Sequence, residues 1–248
     1  MKRGLVMEAK HENDLKMCVF GDSIGKGVLL QNDSGRYGLV KINLNDLVGQ
    51  KKIVLDNFAK MGSTVTKGLA IVKRHASKIA KYDTIFLEFG GNDCSYAWEE
   101  IAENPQNEHI PKTPALAFEN TYTKIIEEIK ANSGNPIMLS LPPLVPERYF
   151  EWFSKKLNRE NILKWVGSID VIYRWQEMYN LKVVLLAKKL SIPLIDIRSA
   201  FLNKRQYKDF LCKDGIHPND SGYELIYNTI VKAMLERNVQ KDGVVFVK

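Results

Sequence analysis

Short apolar runs alternate with longer stretches of helical periodicity along most of this chain. The apolar runs predict five buried strands, at residues 17–20, 51–58, 84–89, 137–141 and 193–197. Between the third and fourth runs, apolar residues recur on one face of a helix at Phe118, Tyr122, Ile125 and Ile129. Strands that alternate with helices favour a parallel sheet with helices on both faces. The pattern therefore predicts an α/β fold with about five parallel strands, and a flavodoxin-like strand order is the first choice.

Residues with capping and turn preferences predict where the helices begin and end. Ser63 or Thr64 can cap one helix, and Thr113 followed by Pro114 can start another. Ser221, Gly222, Tyr223 and Glu224 match a capping box at the start of the last helix. The remaining expected elements are a tail or edge strand at 1–16, a loop at 32–38, a helix at 39–48, an end of the second helix near 78 and a short edge strand at 243–248.

Two insertions interrupt the alternation, at about 94–113 and 144–180. The first is irregular, and the second is helical, rich in aromatic residues and broken near Gly167. Both leave from the C-terminal ends of predicted strands, where α/β proteins bind their ligands, so we expect them to wall a crevice there. We find no internal repeat and no linker. The chain is therefore predicted to be a single domain over 1–248, with its core at about 17–235.

Composition and charge narrow the class of protein. The chain has 248 residues, of which 45% are hydrophobic and 26% charged, as in ordinary soluble globular proteins. The formal net charge of +7 is spread along the chain, which favours a lysine-rich solvated surface over a nucleic-acid footprint. Three cysteines show no paired spacing. No apolar leader or membrane-length run is visible, so a cytoplasmic location is expected.

The candidate chemistry begins at Ser23, which directly follows the first predicted strand. Gly21 and Asp22 stop that strand and place the serine just past its C-terminal end. A serine at this edge of a sheet can be presented to a substrate as a nucleophile. The alternative is a serine that caps the following helix.

A candidate base lies far along the chain at His217. Pro218 disfavours helical backbone at His217, so this histidine is expected on a turn. Asp214 precedes it by three residues, and Gly215 permits a tight bend between them. The spacing can bring the carboxylate against the imidazole and so fix its tautomer. The alternative is an aspartate that caps a turn beside a solvated histidine.

Three groups are candidate donors to a developing oxyanion. Acyl transfer from a serine needs N–H groups aimed at the negative oxygen. The backbone N–H groups of Ser23 and Gly62 and the side-chain amide of Asn92 are placed at strand ends. The alternatives are a turn glycine at Gly62 and a cap or Asx turn at Asn92.

Taken together, these stretches resemble the SGNH hydrolases, also called the GDSL family. The resemblance covers about residues 17–235. The four blocks that define the family occur here in order, as Gly21-Asp22-Ser23, the glycine block 57–62, Gly90-Gly91-Asn92-Asp93 and Asp214-Gly215-Ile216-His217-Pro218.

The resemblance implies a hydrolase that cleaves carboxylic esters through a Ser-His-Asp triad and an acyl-enzyme. It assigns Ser23 as nucleophile, His217 as base and Asp214 as the acid that orients it. It also implies an oxyanion hole of Ser23, Gly62 and Asn92. An α/β-hydrolase elbow is a weaker match, because that fold usually places its serine mid-chain. A catalytically inactive module of the same fold, which binds carbohydrate or another ligand, is the alternative function.

The substrate is expected to be a small acyl ester. Tyr96, Trp98, Tyr149 and Trp152 are candidate substrate-binding residues in the two insertions. Because aromatic side chains are bulky, a cap built from them should favour short acyl groups, acetyl to about butyryl. The alternative is ordinary packing of a helical cap. No cofactor, no metal, no nucleic acid and no stable membrane association are expected.

Overall fold

A five-stranded parallel sheet forms the centre of the molecule. The structure is a computed structural model, which describes residues 14–41 and 53–239. The strands in chain order are β1 (Leu15–Gly21), β2 (Val28–Leu30), β3 (Tyr37–Leu39), β4 (Ile53–Asn57), β5 (Thr84–Glu88), β6 (Pro136–Leu139) and β7 (Leu194–Ile195). The parallel sheet has the order β4-β1-β5-β6-β7, while β2 and β3 form a separate antiparallel pair. The predicted α/β fold with a flavodoxin-like strand order is therefore confirmed.

Helices cover the sheet and its C-terminal edge. They are α1 (Ser23–Lys26), α2 (Val65–Arg74), α3 (Trp98–Glu103), α4 (Ala115–Ala131), α5 (Pro146–Phe153), α6 (Arg159–Val166), α7 (Asp170–Lys189), α8 (Ile197–Leu202) and α9 (Asp220–Val239). Short 3₁₀ turns occur at Ala76–Lys81, Ser154–Lys156 and Tyr207–Phe210.

Alternate residues of β1 enter two different hydrophobic cores, one on each face of the sheet. Cys18 and Phe20 pack with apolar side chains of α2, α4 and α7. Met17 and Val19 pack on the other face with side chains of α8 and α9. A strand buried on both faces reads as a continuous apolar run, which explains why this strand was predictable from sequence.

A third hydrophobic cluster is formed by the two insertions. Trp98 and Ile101 of α3 pack with Phe150 of α5, Ile162 of α6 and Ile172 of α7. Gly167 separates α6 from α7 with φ of +73°, so the predicted break in the second insertion is confirmed. The cluster places a helical cap, hereafter the cap, over residues that follow β5 and β6.

Several predicted boundaries are wrong, beginning with the segment after α1. A loop was predicted at 32–38 and a helix from 39. The structure instead has an antiparallel hairpin there, in which Tyr37–Leu39 pairs with Val28–Leu30. β2 is a buried apolar run of only three residues, and β3 is partly exposed and has a glycine at its centre, so neither strand has a pattern long enough to predict the hairpin. Residues 42–52 lie outside the described residues, as do residues 1–13 of the tail or edge strand predicted at 1–16 and the edge strand predicted at 243–248. Residues 15 and 16 belong to β1.

Helices α2 and α9 are not capped by the residues that the sequence predicted. Neither Ser63 nor Thr64 caps α2 with its side chain; the carboxylate of Asp93 accepts the Val65 N–H at 3.0 Å instead. The last helix is capped by Asn219, whose Oδ1 accepts the Gly222 N–H at 3.0 Å, and not by a capping box. Helix α2 ends at Arg74 and not near residue 78, and Thr113 and Pro114 both precede α4. Helix α3 lies inside 94–113, which was predicted to be irregular. Residue 197 starts α8 instead of ending the fifth strand.

Candidate active site

A sharp strand-to-helix turn presents Ser23. β1 ends at Gly21, and Ser23 is the first residue of the short helix α1. The carboxylate of Asp22 accepts the Ile24 N–H at 2.9 Å and so caps that helix. A side chain at Gly21 is excluded, because a Cβ there would lie 2.7 Å from the backbone oxygen of Glu88. The serine is consequently held just beyond the central strands of the sheet.

His217 and Asp214 share one tight turn before α9. Gly215 has φ of +76°, a conformation that favours glycine and lets the chain reverse. Oδ1 of Asp214 accepts the backbone N–H groups of Ile216 and His217, both at 3.1 Å. Oδ2 of Asp214 lies 2.7 Å from Nδ1 of His217. One carboxylate therefore fixes both the turn and the orientation of the imidazole.

The electrostatics of this pair follow from burial and hydrogen bonding. Asp214 is fully buried, and His217 is 3% exposed. Burial alone would raise the pKa of Asp214, but the hydrogen bond and the charge of His217, with the two backbone N–H groups, lower it overall. Asp214 is accordingly an ionised carboxylate that can stabilise a positive imidazolium.

The far side of the imidazole meets the serine. Nε2 of His217 lies 2.9 Å from Oγ of Ser23, so the two hydrogen bonds form a continuous path from Asp214 to the serine hydroxyl. The structure therefore brings together the three residues that the sequence singled out as Ser, His and Asp. A nucleophile within hydrogen-bond reach of an oriented base is the arrangement that activates a serine.

Two of the three predicted oxyanion donors belong to residues that line one cavity. The Ser23 N–H lies in the first turn of α1, where backbone N–H groups have no partner within the helix. Nδ2 of Asn92 donates one hydrogen bond to Oδ2 of Asp22 at 3.0 Å, and its other N–H stays available for a ligand. Ser23 and Asn92 line the same cavity.

Gly62 stands apart from these two donors. It has φ of +72°, lies at the surface and is not among the residues that line the cavity. Its loop is nevertheless anchored next to the serine turn, because the Lys60 N–H donates to the Gly21 carbonyl at 3.0 Å. A place for Gly62 in the oxyanion hole thus stays a prediction.

The cavity above Ser23 is small and is walled by both insertions. Its volume is about 90 Å³, against the ~300–1,000 Å³ of pockets that bury drug-sized ligands. Trp98 comes from the first insertion, and Tyr149, Ile172 and Trp175 come from the second. The expectation that the insertions wall the crevice therefore agrees with the lining of this cavity.

The four predicted substrate-binding aromatics separate into two groups. Trp98 and Tyr149 line the cavity. Tyr96 packs inside the cap, with its ring 4.6 Å from that of Trp175, and Trp152 lies outside the cavity with its ring 6.4 Å from that of Tyr37. For Tyr96, the structure shows the alternative that was open at the sequence level, namely packing within the cap.

Sequence reasoning missed two neighbours of the site. The ring of Tyr37 on β3 meets the His217 ring edge-on, with 5.1 Å between the centroids, and its side chain is 39% exposed. No sequence signal marked it, because the hairpin was not predicted. Glu88 ends β5 directly beneath the serine turn and is fully buried. A carboxyl group inside an apolar strand was a readable signal for it.

A larger cavity of about 350 Å³ lies between the sheet and α9, and its lining contains neither Ser23 nor His217. Within 14–41 and 53–239, no three His, Cys, Asp or Glu residues lie close enough to hold a metal ion. Among these same residues, no helix has the length and apolar character needed to cross a membrane.

Comparison with known proteins agrees with the site geometry. Residues 19–225 match the GDSL-like lipase/acylhydrolase family. The chain belongs to this family. The family resemblance that was read from four sequence blocks is therefore confirmed, and membership supports a hydrolase of the esterase or lipase type.

Individual relatives are distant in sequence. The spore germination lipase LipC of Bacillus licheniformis is 25% identical over 217 residues, which are 85% of this chain and 92% of that protein. The lipase/acylhydrolase from Enterococcus faecalis is 23% identical with a TM-score of 0.57, covering 90% of this chain and 96% of the other. A catalytic mutant of Axe2, an acetylxylan esterase from Geobacillus stearothermophilus, is 19% identical with a TM-score of 0.58, covering 88% and 93%. These structural likenesses show the fold.

Proposed function

We propose that this chain is a serine hydrolase that cleaves carboxylic esters through an acyl-enzyme. The observation that carries the proposal is the continuous hydrogen-bond path from Asp214 through His217 to Ser23, with distances of 2.7 Å and 2.9 Å. In this path Ser23 is the nucleophile, His217 is the general base and Asp214 orients the imidazole.

In the first half of the reaction, Oγ of Ser23 attacks the ester carbonyl carbon while Nε2 of His217 takes the hydroxyl proton. The carbonyl oxygen becomes an oxyanion, which receives hydrogen bonds from the Ser23 N–H and the Asn92 amide, and from Gly62 if its loop contributes a third. The tetrahedral intermediate then collapses: the bond to the alcohol oxygen breaks, and His217 returns the proton to that oxygen. The products are the free alcohol and an acyl group esterified to Ser23.

In the second half, water replaces the alcohol. His217 takes a proton from the water molecule, and the resulting hydroxide attacks the acyl carbon. The same donors stabilise the second oxyanion, and the proton on His217 passes to Oγ of Ser23 as the carboxylic acid leaves. Asp214 stays ionised throughout and stabilises the imidazolium in both halves.

The walls of the cavity support a preference for short acyl groups. Trp98, Tyr149 and Trp175 close the space above Ser23, and the remaining volume of about 90 Å³ leaves little room for an extended chain. We therefore propose acyl groups from acetyl to about butyryl. The acetylxylan esterase among the structural neighbours makes acetylated sugars a rational first class of substrate to screen.

The alcohol side of the ester is proposed to face Tyr37. Because His217 must hand its proton to the departing oxygen, the alcohol leaves next to the imidazole. Tyr37 is the exposed ring that contacts this imidazole from outside. An alcohol with a flat apolar face could pack against it.

An inactive ligand-binding module is the alternative function. Hydrolysis of p-nitrophenyl acetate by purified protein, compared with the Ser23→Ala variant, discriminates between the two. We expect hydrolysis by the wild-type protein and its loss in the variant. Equal rates in both proteins would mean that Ser23 is not the nucleophile. The cytoplasmic location, the single domain and the absence of nucleic-acid, membrane and cofactor partners stay predictions.

A further inference from the structure

A pair of buried carboxyl groups lies beneath the serine turn, and the mechanism above does not use its second member. Glu88 at the end of β5 is paired in register with Gly21 on β1. Its side chain shares a hydrogen bond with that of Asp22, the next residue after Gly21. Glu88 is 0% exposed and Asp22 is 1% exposed. Among the described residues, no lysine or arginine forms a salt bridge with either carboxyl.

Three of the four carboxyl oxygens have N–H donors. Oδ1 of Asp22 accepts from the Ile24 N–H at 2.9 Å, and Oδ2 accepts from the Asn92 amide at 3.0 Å. Oε2 of Glu88 accepts from the Gly25 N–H at 3.1 Å. Oε1 of Glu88 is buried and has no hydrogen-bond partner of ordinary geometry, although the Asp22 N–H lies close enough to the carboxyl to lower its pKa. An ionised carboxylate with a bare buried oxygen would be costly, and each such oxygen in a native protein needs an explanation.

A proton on Glu88 supplies that explanation. A protonated carboxyl has an O–H to donate, and the Asp22 carboxylate beside it is the acceptor with which Glu88 shares a side-chain hydrogen bond. Burial and then the charge of Asp22 raise the pKa of Glu88 well above its ordinary value. Burial also raises the pKa of Asp22, but the hydrogen bonds from Glu88, Ile24 and Asn92 and the charge of His217 oppose that rise. The pair therefore holds one proton, on Glu88, and one negative charge, on Asp22.

We propose that Glu88 is a neutral carboxylic acid and a positioning residue, which donates a hydrogen bond to Asp22 and thereby fixes the Asn92 amide toward the oxyanion. Glu88 itself does not touch the substrate. A hydrogen bond to a carboxylate is stronger than one between neutral groups, so it holds Asp22 in one orientation. In that orientation Asp22 binds the Ile24 N–H next to the nucleophile and the Asn92 amide at once. The effect on catalysis rests on the function proposed above.

The proposal has a pH dependence with a definite sign. Because the folded-state pKa of Glu88 is raised, its contribution to stability is complete below the unfolded-state pKa and is lost as the pH rises through the folded-state pKa. Ionisation would place two carboxylates side by side beneath the serine. The other titratable groups facing this pair are Asp93, Cys94, Tyr122, Tyr223 and His217.

Three variants test the proposal. Glu88→Gln keeps the side-chain length and an N–H donor but cannot ionise, and Glu88→Met keeps similar volume without a donor. Glu127→Gln removes an exposed carboxylate of α4 and is the matched control. For each protein, kcat and KM for p-nitrophenyl acetate and the free energy of unfolding in denaturant are measured from acid to alkaline pH, beginning below the unfolded-state pKa of a glutamate.

We expect Glu88→Met to lower kcat about tenfold or more at little change in KM, as part of the roughly 10²- to 10³-fold effect of a whole oxyanion donor. Glu88→Gln should recover most of that loss. As the pH rises, the wild-type free energy of unfolding should fall relative to that of Glu88→Gln, while Glu127→Gln follows the wild type. The alkaline decline of kcat should shift in the same way.

Two results would overturn the proposal. If Glu88→Gln were as impaired as Glu88→Met at every pH, an ionised Glu88 would be required. If wild type and Glu88→Gln unfolded with the same pH dependence, Glu88 would not carry the proton. If Glu88→Met does not fold, the comparison between Glu88→Gln and the wild type still tests the proposal. If the wild-type protein hydrolysed no ester, the proposed function would fail, but the unfolding comparison would still test the proton on Glu88.

Discussion

Ser23 Oγ and His217 Nε2 lie 2.9 Å apart although 194 residues separate them in the chain. Ser23 follows β1 and lies at the C-terminal edge of the sheet, and the turn before α9 places His217 at the same edge. Because Asp214 lies only three residues from His217, the base and its orienting acid reach the site as one unit. The contact between Ser23 and His217 therefore depends on the packing of one short turn against one strand end.

Removal of each triad member should produce an ordered series of losses. We expect Ser23→Ala and His217→Ala to lower kcat most, by roughly 10⁶-fold, and Asp214→Ala to lower it less, by roughly 10⁴-fold. The acid orients the base and stabilises its charge but forms no bond to the substrate. Steady-state kinetics on p-nitrophenyl acetate measures the series. Equal losses for Asp214→Ala and Ser23→Ala would contradict the role given to the acid.

The Asn92 amide should act on the transition state. We expect Asn92→Ala to lower kcat by roughly 10²- to 10³-fold with little change in KM, because the oxyanion exists only after attack. Asn107→Ala, which truncates an exposed asparagine of the first insertion, is the control and should behave as wild type. An Asn92→Ala variant with raised KM and unchanged kcat would make Asn92 a substrate-binding residue instead.

Acyl-chain preference should follow the cavity walls. Across p-nitrophenyl esters from acetate to palmitate, we expect the highest kcat/KM at the short end, because Trp98, Tyr149 and Trp175 close the space above Ser23. Trp175→Ala should move the optimum toward longer chains. Trp165→Ala is the matched control, since Trp165 packs within the cap against Tyr96 and Trp175 without lining the cavity itself. A wild-type maximum at the long-chain end would refute the closed-pocket account.

Tyr37 should influence the alcohol and not the acyl group. Among acetate esters, we expect Tyr37→Ala to lower kcat/KM several-fold for bulky ring alcohols and less for methyl or ethyl acetate, while Tyr37→Phe retains the wild-type order. The acyl-enzyme is the same for every acetate, so the difference must arise before the alcohol leaves. If Tyr37→Ala slowed all acetates equally, Tyr37 would act by orienting His217, whose ring it contacts.

Residues that lie at the ends of long buried strands were predictable from sequence. Ser23 and Asn92 follow apolar runs directly, and the turn with Asp214 and His217 is marked by Gly215 and Pro218. These signals for strand ends and turns are local in the sequence, so they can be recognised without knowledge of the fold. The strand order could be predicted from a general rule, that alternating strands and helices are arranged on both sides of a central first strand.

The parts that were missed depend on contacts between distant segments. Tyr37 reaches His217 through a hairpin whose strands are three residues long, too short for a recognisable alternation. Asp93 caps α2 from another loop, and local cap residues cannot reveal that. Tyr96 and Trp98 look alike in sequence, but only the packing of the cap decides that Trp98 lines the cavity.

The most direct test of the central claim is covalent labelling of the serine. The protein is treated with an organophosphonate, its intact mass is measured, and the labelled peptide is sequenced. We expect a single adduct on Ser23, no adduct in Ser23→Ala, and slow labelling in His217→Ala, because the hydroxyl needs His217 for activation. An adduct on another residue, or undiminished labelling of Ser23→Ala, would contradict the assignment of Ser23 as the nucleophile.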